Sequence, residues 1–167
     1  WANIVGSAGA PFDAWLTLRG LRTLFPRMVQ QQINAMEVAT FLARHPAVAK
    51  VHYPGLASHP GHAIAARQQS GFGAMLSFEL AGGVVAVRQF ISAVKFFTLA
   101  ESLGGVESLV AHPATMTHAD MGEEARAQAG ISDSLLRLSV GLEARQDLIA
   151  GLEAGLAACR NDCPPAG

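Results

Sequence analysis

The sequence has little of what several classes of protein depend on. Aromatic residues make up 7% of its 167 residues, and 12 basic side chains are balanced by 13 acidic ones. A nucleic-acid-binding surface needs surplus positive charge and often stacking rings, so we expect no nucleic acid as a partner. No apolar run reaches the roughly 20 residues of a membrane-spanning helix, and the N-terminal segment has no basic flank followed by an apolar stretch. The sequence therefore predicts a soluble, unsecreted protein without a membrane partner.

Cysteine is also scarce. Cys159 and Cys163 lie four residues apart in the C-terminal tail, and the six histidines are scattered. A zinc site needs two further ligands within reach, so we expect two free thiols at a frayed end and no metal site. Reduced thiols without a targeting signal favour the cytoplasm.

The hydrophobic residues, 50% of the chain, are sufficient for one domain with its own core. We assign residues 1–10 to the remnant of an inter-domain linker, 11–158 to the domain and 159–167 to a flexible tail. The chain begins at Trp1 and not at a methionine, which leads us to expect that it is part of a longer protein.

The spacing of apolar residues predicts the secondary structure. A helical period from 12 to 44 predicts two helices or one bent helix, with Gly20 and Pro26 favouring a break. Further helices are predicted near 62–69, 84–94 and 142–158, and a short acidic one precedes Gly130. Strand-like runs lie around Val51, at 73–80 and in three later segments. The sequence predicts an α/β fold, a two-layer sandwich of about four strands with helices mainly on one face.

Arg137 is the position most suggestive of chemistry. Strand alternation in SLLRLSV puts Leu136 and Leu138 on one face and Arg137 with Ser139 on the other, so a guanidinium projects from an apolar strand. Such a charge needs an anion, and its planar fork suits a carboxylate. Two alternatives stay open: a ligand carboxylate, or an internal partner such as Glu101 or Glu107.

Two further segments carry polar groups. The run Glu101-Ser102 is followed by Gly104-Gly105, and paired glycines after a strand allow either the close approach of a ligand or an ordinary turn. His59 and His62 lie near a helix start without a third ligand, and we expect them to be solvated. His112 and His118 occur in HPATMTH, which we expect to be an exposed loop.

Several motifs together resemble one enzyme family. PFDAWLTLRGLRTL, VHYPGLASHPGH, FTLAESLGGVESL, HPATMTHAD and GISDSLLRLSVGLE are similar to the C-terminal domain of the cystathionine γ-synthase, cystathionine γ-lyase and methionine γ-lyase family, from about Gly9 to Leu156. The resemblance implies the small C-terminal domain of a fold-type I enzyme. It also implies pyridoxal phosphate, bound to a lysine of an N-terminal domain, and γ-replacement or γ-elimination on sulfur amino acids or homoserine esters.

The resemblance also implies roles for individual residues. Arg137 matches the arginine that holds the substrate α-carboxylate, and Ser102 matches a serine near it. Glu101 matches a position that varies with substrate preference, and Thr117 matches a residue at the edge of the active site. Arg22 replaces a lysine that is common in the family, with the same charge.

The chain itself lacks the family's cofactor lysine. Its two lysines, Lys50 and Lys95, lie outside that motif, and we place Lys50 on a helix-to-strand connection and Lys95 at the start of a strand. We therefore expect the isolated chain to bind no cofactor covalently and to be inactive. The implied partners are the missing N-terminal domain, an amino-acid substrate and further copies, as a tetramer. Two other functions stay open: a non-catalytic assembly module, and an amino-acid-binding domain without a cofactor.

Overall fold

The structure is a computed structural model, and it describes residues 2–6 and 9–159. Its helices are α1 (Ala2–Val5), α2 (Pro11–Leu21), α3 (Leu24–Leu42), α4 (His62–Gln68), α5 (Gly83–Ala93), α6 (Glu123–Gln128) and α7 (Arg145–Ala158). Its strands are β1 (Val48–His52), β2 (Met75–Leu80), β3 (Phe97–Leu99), β4 (Ser108–Ala111) and β5 (Leu135–Ser139), and a 3₁₀ turn spans Pro113–Thr115.

The five strands form a single sheet in the order β1-β2-β5-β4-β3. All neighbours are antiparallel except β3 and β4, which are parallel. The predicted α/β class is confirmed, and the sheet has five strands where we expected about four. The short strand β3, with three residues, lies in the first of the three later strand-like segments, so each of the five runs corresponds to one strand.

The predicted helical segment from 12 to 44 is two helices. The chain breaks at Arg22 and Thr23, and the Arg27 guanidinium donates to the Gly20 carbonyl at 2.9 Å across the break. Pro26 lies in the first turn of α3, where a missing backbone N–H removes no intrahelical hydrogen bond. The break therefore precedes the proline instead of falling at it.

The core lies between one face of the sheet and the long helices. Leu136, Leu138 and Val140 are fully buried on this face, and so are Leu148 and Leu152 of α7. Apolar positions at i and i+4 on α7 point to the same side of the helix, so one stripe faces the sheet. Arg137 lies on the other face of β5, away from this core.

Loops cover that other face. Parallel neighbouring strands usually need a crossover of a dozen or more residues. Residues 100–107 join β3 to β4 without a helix, and hydrogen bonds to Arg137 and Ser139 show that they cross the second face of the sheet. The 3₁₀ turn also packs against β5.

Some expectations about single residues are corrected by the structure. Cys159 is buried, and its thiol lies 3.3 Å from the carbonyl oxygens of Ala86 and Gly155, so it is not a frayed thiol. Burial raises the pKa of this thiol. Cys163 lies outside the described residues. Lys50 lies within β1, not on the connection before it, and Lys95 lies in the connection that precedes β3.

Among the helices in the described ranges, none has the length and apolar character needed to cross a membrane.

Candidate functional site

Arg137 lies near the middle of the sheet. It is the central residue of β5, and its neighbours across the sheet are Ser77 of β2 and Ala111 of β4. The two leucines beside it in sequence, Leu136 and Leu138, are fully buried on the core side. Alternation along the strand therefore directs the arginine to the second face, as predicted.

The guanidinium of Arg137 is held by backbone and not by a carboxylate. Its Nη2 donates to the carbonyl oxygens of Glu101 at 3.0 Å and Ser102 at 3.2 Å. Within residues 2–6 and 9–159, the structure contains no ion pair to Arg137. The alternative of an internal partner is thus wrong for the carboxylates of Glu101 and Glu107, although the main chain of Glu101 is a partner.

Part of the same guanidinium lacks a partner. The Nε atom is buried and has no hydrogen bond. Arginine has five N–H donors, and the two carbonyl contacts leave those of Nε and Nη1 for another group. Although the side chain as a whole is partly exposed, a desolvated donor such as Nε is costly without an acceptor, and an anion could supply one. The site is therefore suited chemically to a ligand carboxylate.

Residues 100–107, which we call the carbonyl loop, place Glu101 and Ser102 beside Arg137. Gly104 has φ +77°, a left-handed backbone conformation that residues other than glycine rarely adopt. Its backbone N–H donates to Ser139 Oγ at 2.9 Å. The glycine pair therefore makes a bend that brings the loop back onto the sheet. The group that the backbone of Gly104 approaches closely is the side chain of Ser139.

The predicted site residues are brought together only in part. The backbones of Glu101 and Ser102 contact Arg137, and their side chains are exposed. Thr117 is also exposed, and its hydroxyl lies 2.8 Å from His118 Nδ1. No hydrogen bond joins Thr117 to Arg137 in the described part of the chain.

A buried polar network behind the carbonyl loop was missed by the sequence analysis. The Asn34 amide donates to the carbonyls of Gly141 at 3.0 Å and Glu143 at 3.1 Å. Both carboxylate oxygens of Glu143 accept from Ser108, one from its N–H at 2.6 Å and one from its hydroxyl at 2.8 Å. Gln31 donates to the Gly105 carbonyl at 2.6 Å.

One signal of this network was present in the sequence. Gln31 and Asn34 stand three residues apart in QQQINAM, on the same side of a helix as the buried Ala35 and Val38. Polar side chains within an apolar stripe need buried partners. The partners themselves lie more than 70 residues away, so the sequence does not identify them.

The histidines have structural roles. His112 is buried, with Nδ1 at 2.8 Å from Thr115 Oγ1 and Nε2 at 3.0 Å from the Asp133 carbonyl, so the expectation of a fully exposed loop is corrected here. His59 accepts from the Gly61 N–H, and His62 stacks on Phe72. The described residues hold no cluster of three or more potential metal ligands.

A second polar group lies on β1 and β2. His52 Nε2 is 2.8 Å from Glu79 Oε1, and the Ser132 hydroxyl donates to Glu79 Oε2 at 3.0 Å. The hydrogen bond from His52 lowers the pKa of Glu79, against burial, which raises it. This group ties the edge strand to the loop before β5.

The fold defines a class of protein, the small domain of a fold-type I pyridoxal-phosphate enzyme. The family model described as Cys/Met metabolism PLP-dependent enzyme matches residues 1–157, and the chain belongs to this family.

Named relatives span several activities. The chain is 58% identical to cystathionine gamma-synthase of Escherichia coli over 95% of its length. It is 50% identical over 94% of its length to cystathionine gamma-lyase of Dictyostelium discoideum, and 51% identical over 92% to cystathionine beta-lyase of Lactococcus lactis subsp. cremoris. These stretches are 41%, 41% and 40% of the relatives' lengths. Relatives of this chain therefore include a gamma-synthase, a gamma-lyase and a beta-lyase.

A solved structure of the same family also matches this chain. Cystathionine gamma synthase from Xanthomonas oryzae pv. oryzae, in complex with aminoacrylate and cysteine, matches with a TM-score of 0.91 and 63% sequence identity. The match covers 95% of this chain and 41% of that one. The chain therefore spans about two fifths of the length of the relatives that it matches.

The residues present fit a substrate carboxylate but not a covalent cofactor link. Lys50 and Lys95 are both exposed. Lys50 lies on β1 and Lys95 just before β3, at opposite edges of the sheet, and neither strand pairs with β5. The unpartnered Nε of Arg137 is the feature that fits an anionic group.

Proposed function

We propose that this chain forms the substrate-carboxylate-binding part of a pyridoxal-phosphate-dependent trans-sulfuration enzyme. The enzyme acts on sulfur amino acids or homoserine esters by γ-replacement or γ-elimination, and the cofactor lysine lies in a further, N-terminal domain. The observation that carries the proposal is the Arg137 guanidinium, with a buried, unpartnered Nε and no carboxylate paired to it among the described residues.

Arg137 orients the substrate by binding its α-carboxylate. Nη2 is fixed by two carbonyl oxygens, so the guanidinium is oriented before substrate arrives, and the N–H groups of Nε and Nη1 donate to the carboxylate oxygens. The cofactor, when bound, supplies the electron sink for negative charge that develops on the substrate. The chain's own contribution is orientation, which fixes the bonds that can react.

The neighbouring residues have accessory roles in this proposal. The main chains of Glu101 and Ser102 contact Arg137 and their side chains are exposed, and we assign Ser102 to the surroundings of the carboxylate and Glu101 to the variable end of the substrate. Thr117 contributes from the edge of the site. The resemblance in AESLGG and HPATMTH supports these assignments.

An exposed apolar surface supports a larger parent protein. Helix α2 has no buried residue, although Phe12 and Trp15 stack with their ring centroids 5.9 Å apart and are more than half exposed. On α3, Phe25 is 81% exposed. Large exposed apolar side chains are typical of a surface that another domain or chain covers. We propose that the N-terminal domain covers it, and that the enzyme is a cytoplasmic tetramer.

The proposal is tested in the full-length enzyme with L-norleucine, an amino acid without a leaving group, and L-norleucinamide, which lacks the carboxylate. The ratio of their dissociation constants, measured by calorimetry, is the acid preference. Arg137→Ala removes one partner of a desolvated charge pair, which costs about 2–5 kcal/mol. We expect the acid preference to fall by about 30-fold or more. An unchanged acid preference would remove Arg137 from the carboxylate site.

A further inference from the structure

The position of the carbonyl loop depends on hydrogen bonds and not on apolar packing. Every side chain from Glu101 to Leu103 is exposed, and Val106 is 52% exposed. Exposed side chains contribute little packing energy. The backbone of the loop must therefore be held in place by polar contacts.

Two backbone hydrogen bonds hold the ends of the loop. The Ala100 N–H donates to the Val110 carbonyl at 3.0 Å, and the Leu142 N–H donates to the Val106 carbonyl at 2.8 Å. Both bonds lie outside Gly104 and Gly105, at which the loop bends.

Two buried side chains hold the bend. Ser139 Oγ, on the same face of β5 as Arg137, accepts the Gly104 N–H at 2.9 Å. Gln31 Nε2, from α3, donates to the next residue's carbonyl, that of Gly105, at 2.6 Å. Both side chains are 2% exposed. These contacts stand two to four residues from the carbonyls that bind Arg137 Nη2.

We propose that Gln31 and Ser139 are positioning residues for Arg137. They fix the glycine bend, the bend fixes the carbonyls of Glu101 and Ser102, and these carbonyls orient the guanidinium toward the substrate carboxylate. This inference rests on the proposed function of Arg137. Neither side chain contacts the substrate, and each acts only through the loop.

The test measures the acid preference, defined above, in the full-length enzyme carrying Gln31→Met. Methionine keeps the length and helix propensity of glutamine but cannot donate to Gly105. Gln32→Met is the matched control, because Gln32 lies beside Gln31 on α3 and its Oε1 accepts a backbone N–H from Gly73, away from the carbonyl loop. Ser139→Ala is a second, independent variant should Gln31→Met not fold.

We expect Gln31→Met or Ser139→Ala to lower the acid preference about tenfold, as loss of one buried hydrogen bond with coupled neighbours predicts. Gln32→Met should leave it unchanged. In an Arg137→Ala background, Gln31→Met should lower it no further, because its effect passes through the guanidinium.

Other results overturn the inference. If Gln31→Met and Ser139→Ala weaken norleucine and norleucinamide equally, their role is only structural. If Arg137→Ala removes the acid preference and neither of these variants changes it, positioning fails while the carboxylate site stands. If Arg137→Ala itself has no effect, the proposed function fails first.

Discussion

Asn34→Ala tests the buried network behind the carbonyl loop. Asn34 is fully buried, and its amide makes three hydrogen bonds: to the carbonyls of Gly141 and Glu143, and from Gln30 Nε2 at 2.9 Å. The substitution leaves two backbone carbonyls without this donor, in a region that alanine is too short to fill. Each buried acceptor left without a partner costs about 1–3 kcal/mol, and relaxation of the surrounding structure recovers part of this free energy.

We therefore expect Asn34→Ala to lower the free energy of unfolding by about 2–4 kcal/mol, which corresponds to a fall in Tm of roughly 5–15 °C for a domain of this size. Urea and thermal unfolding of the 167-residue chain, followed by circular dichroism, measure both.

Gln30→Ala is the matched control for this prediction. It removes only the outer hydrogen bond of Asn34, and Gln30 is exposed. We expect a change within about 0.5 kcal/mol. If Asn34→Ala destabilises the chain no more than Gln30→Ala, the network does not hold the β5–α7 connection and the reasoning is refuted.

Three further predictions concern the rest of the chain. The pKa of Glu79 in the folded protein lies below its ordinary value of 4.5, so the pair with His52 stabilises the fold above that pH and loses its contribution as pH falls. Glu79→Gln should flatten the loss of unfolding free energy below about pH 5, and an unaltered profile would contradict this. The isolated chain should bind an apolar dye and self-associate in sedimentation. Trp15→Ser should reduce dye binding more than the control Val85→Ser, since Val85 is an exposed residue on α5. A monomer that binds no dye would contradict the proposal that another domain covers this surface. Pyridoxal phosphate followed by borohydride should give no saturable adduct on the isolated chain, and stoichiometric labelling of Lys50 or Lys95 would show a cofactor site within it.

The fold was predictable wherever the local pattern was strong. The alternation in MLSFEL gave β2, with Leu76, Phe78 and Leu80 buried, and the leucine spacing at 148, 152 and 156 gave α7. The same alternation predicted that Arg137 would leave the core side of β5. These features depend on residues near in sequence, so they are visible without a structure.

What could not be predicted depends on contacts far apart in the chain. Nothing local indicates that Gln31 binds Gly105, or that Ser108 and Glu143 form a pair. The internal alternative for Arg137 named the carboxylates of Glu101 or Glu107, whereas the observed contacts are main-chain carbonyls of Glu101 and Ser102, which any residue could supply. Cys159 was misread for a similar reason: the Ala86 carbonyl that receives its thiol lies 73 residues away.

The central claim is that the Arg137 guanidinium binds the acidic end of an amino acid. The most direct measurement is a crystal structure of the full-length enzyme with L-norleucine. The account predicts a carboxylate oxygen about 2.7–3.0 Å from Nε or Nη1 of Arg137. A ligand whose carboxylate is bound by other groups, with Arg137 touching only the carbonyls of the loop, would contradict it.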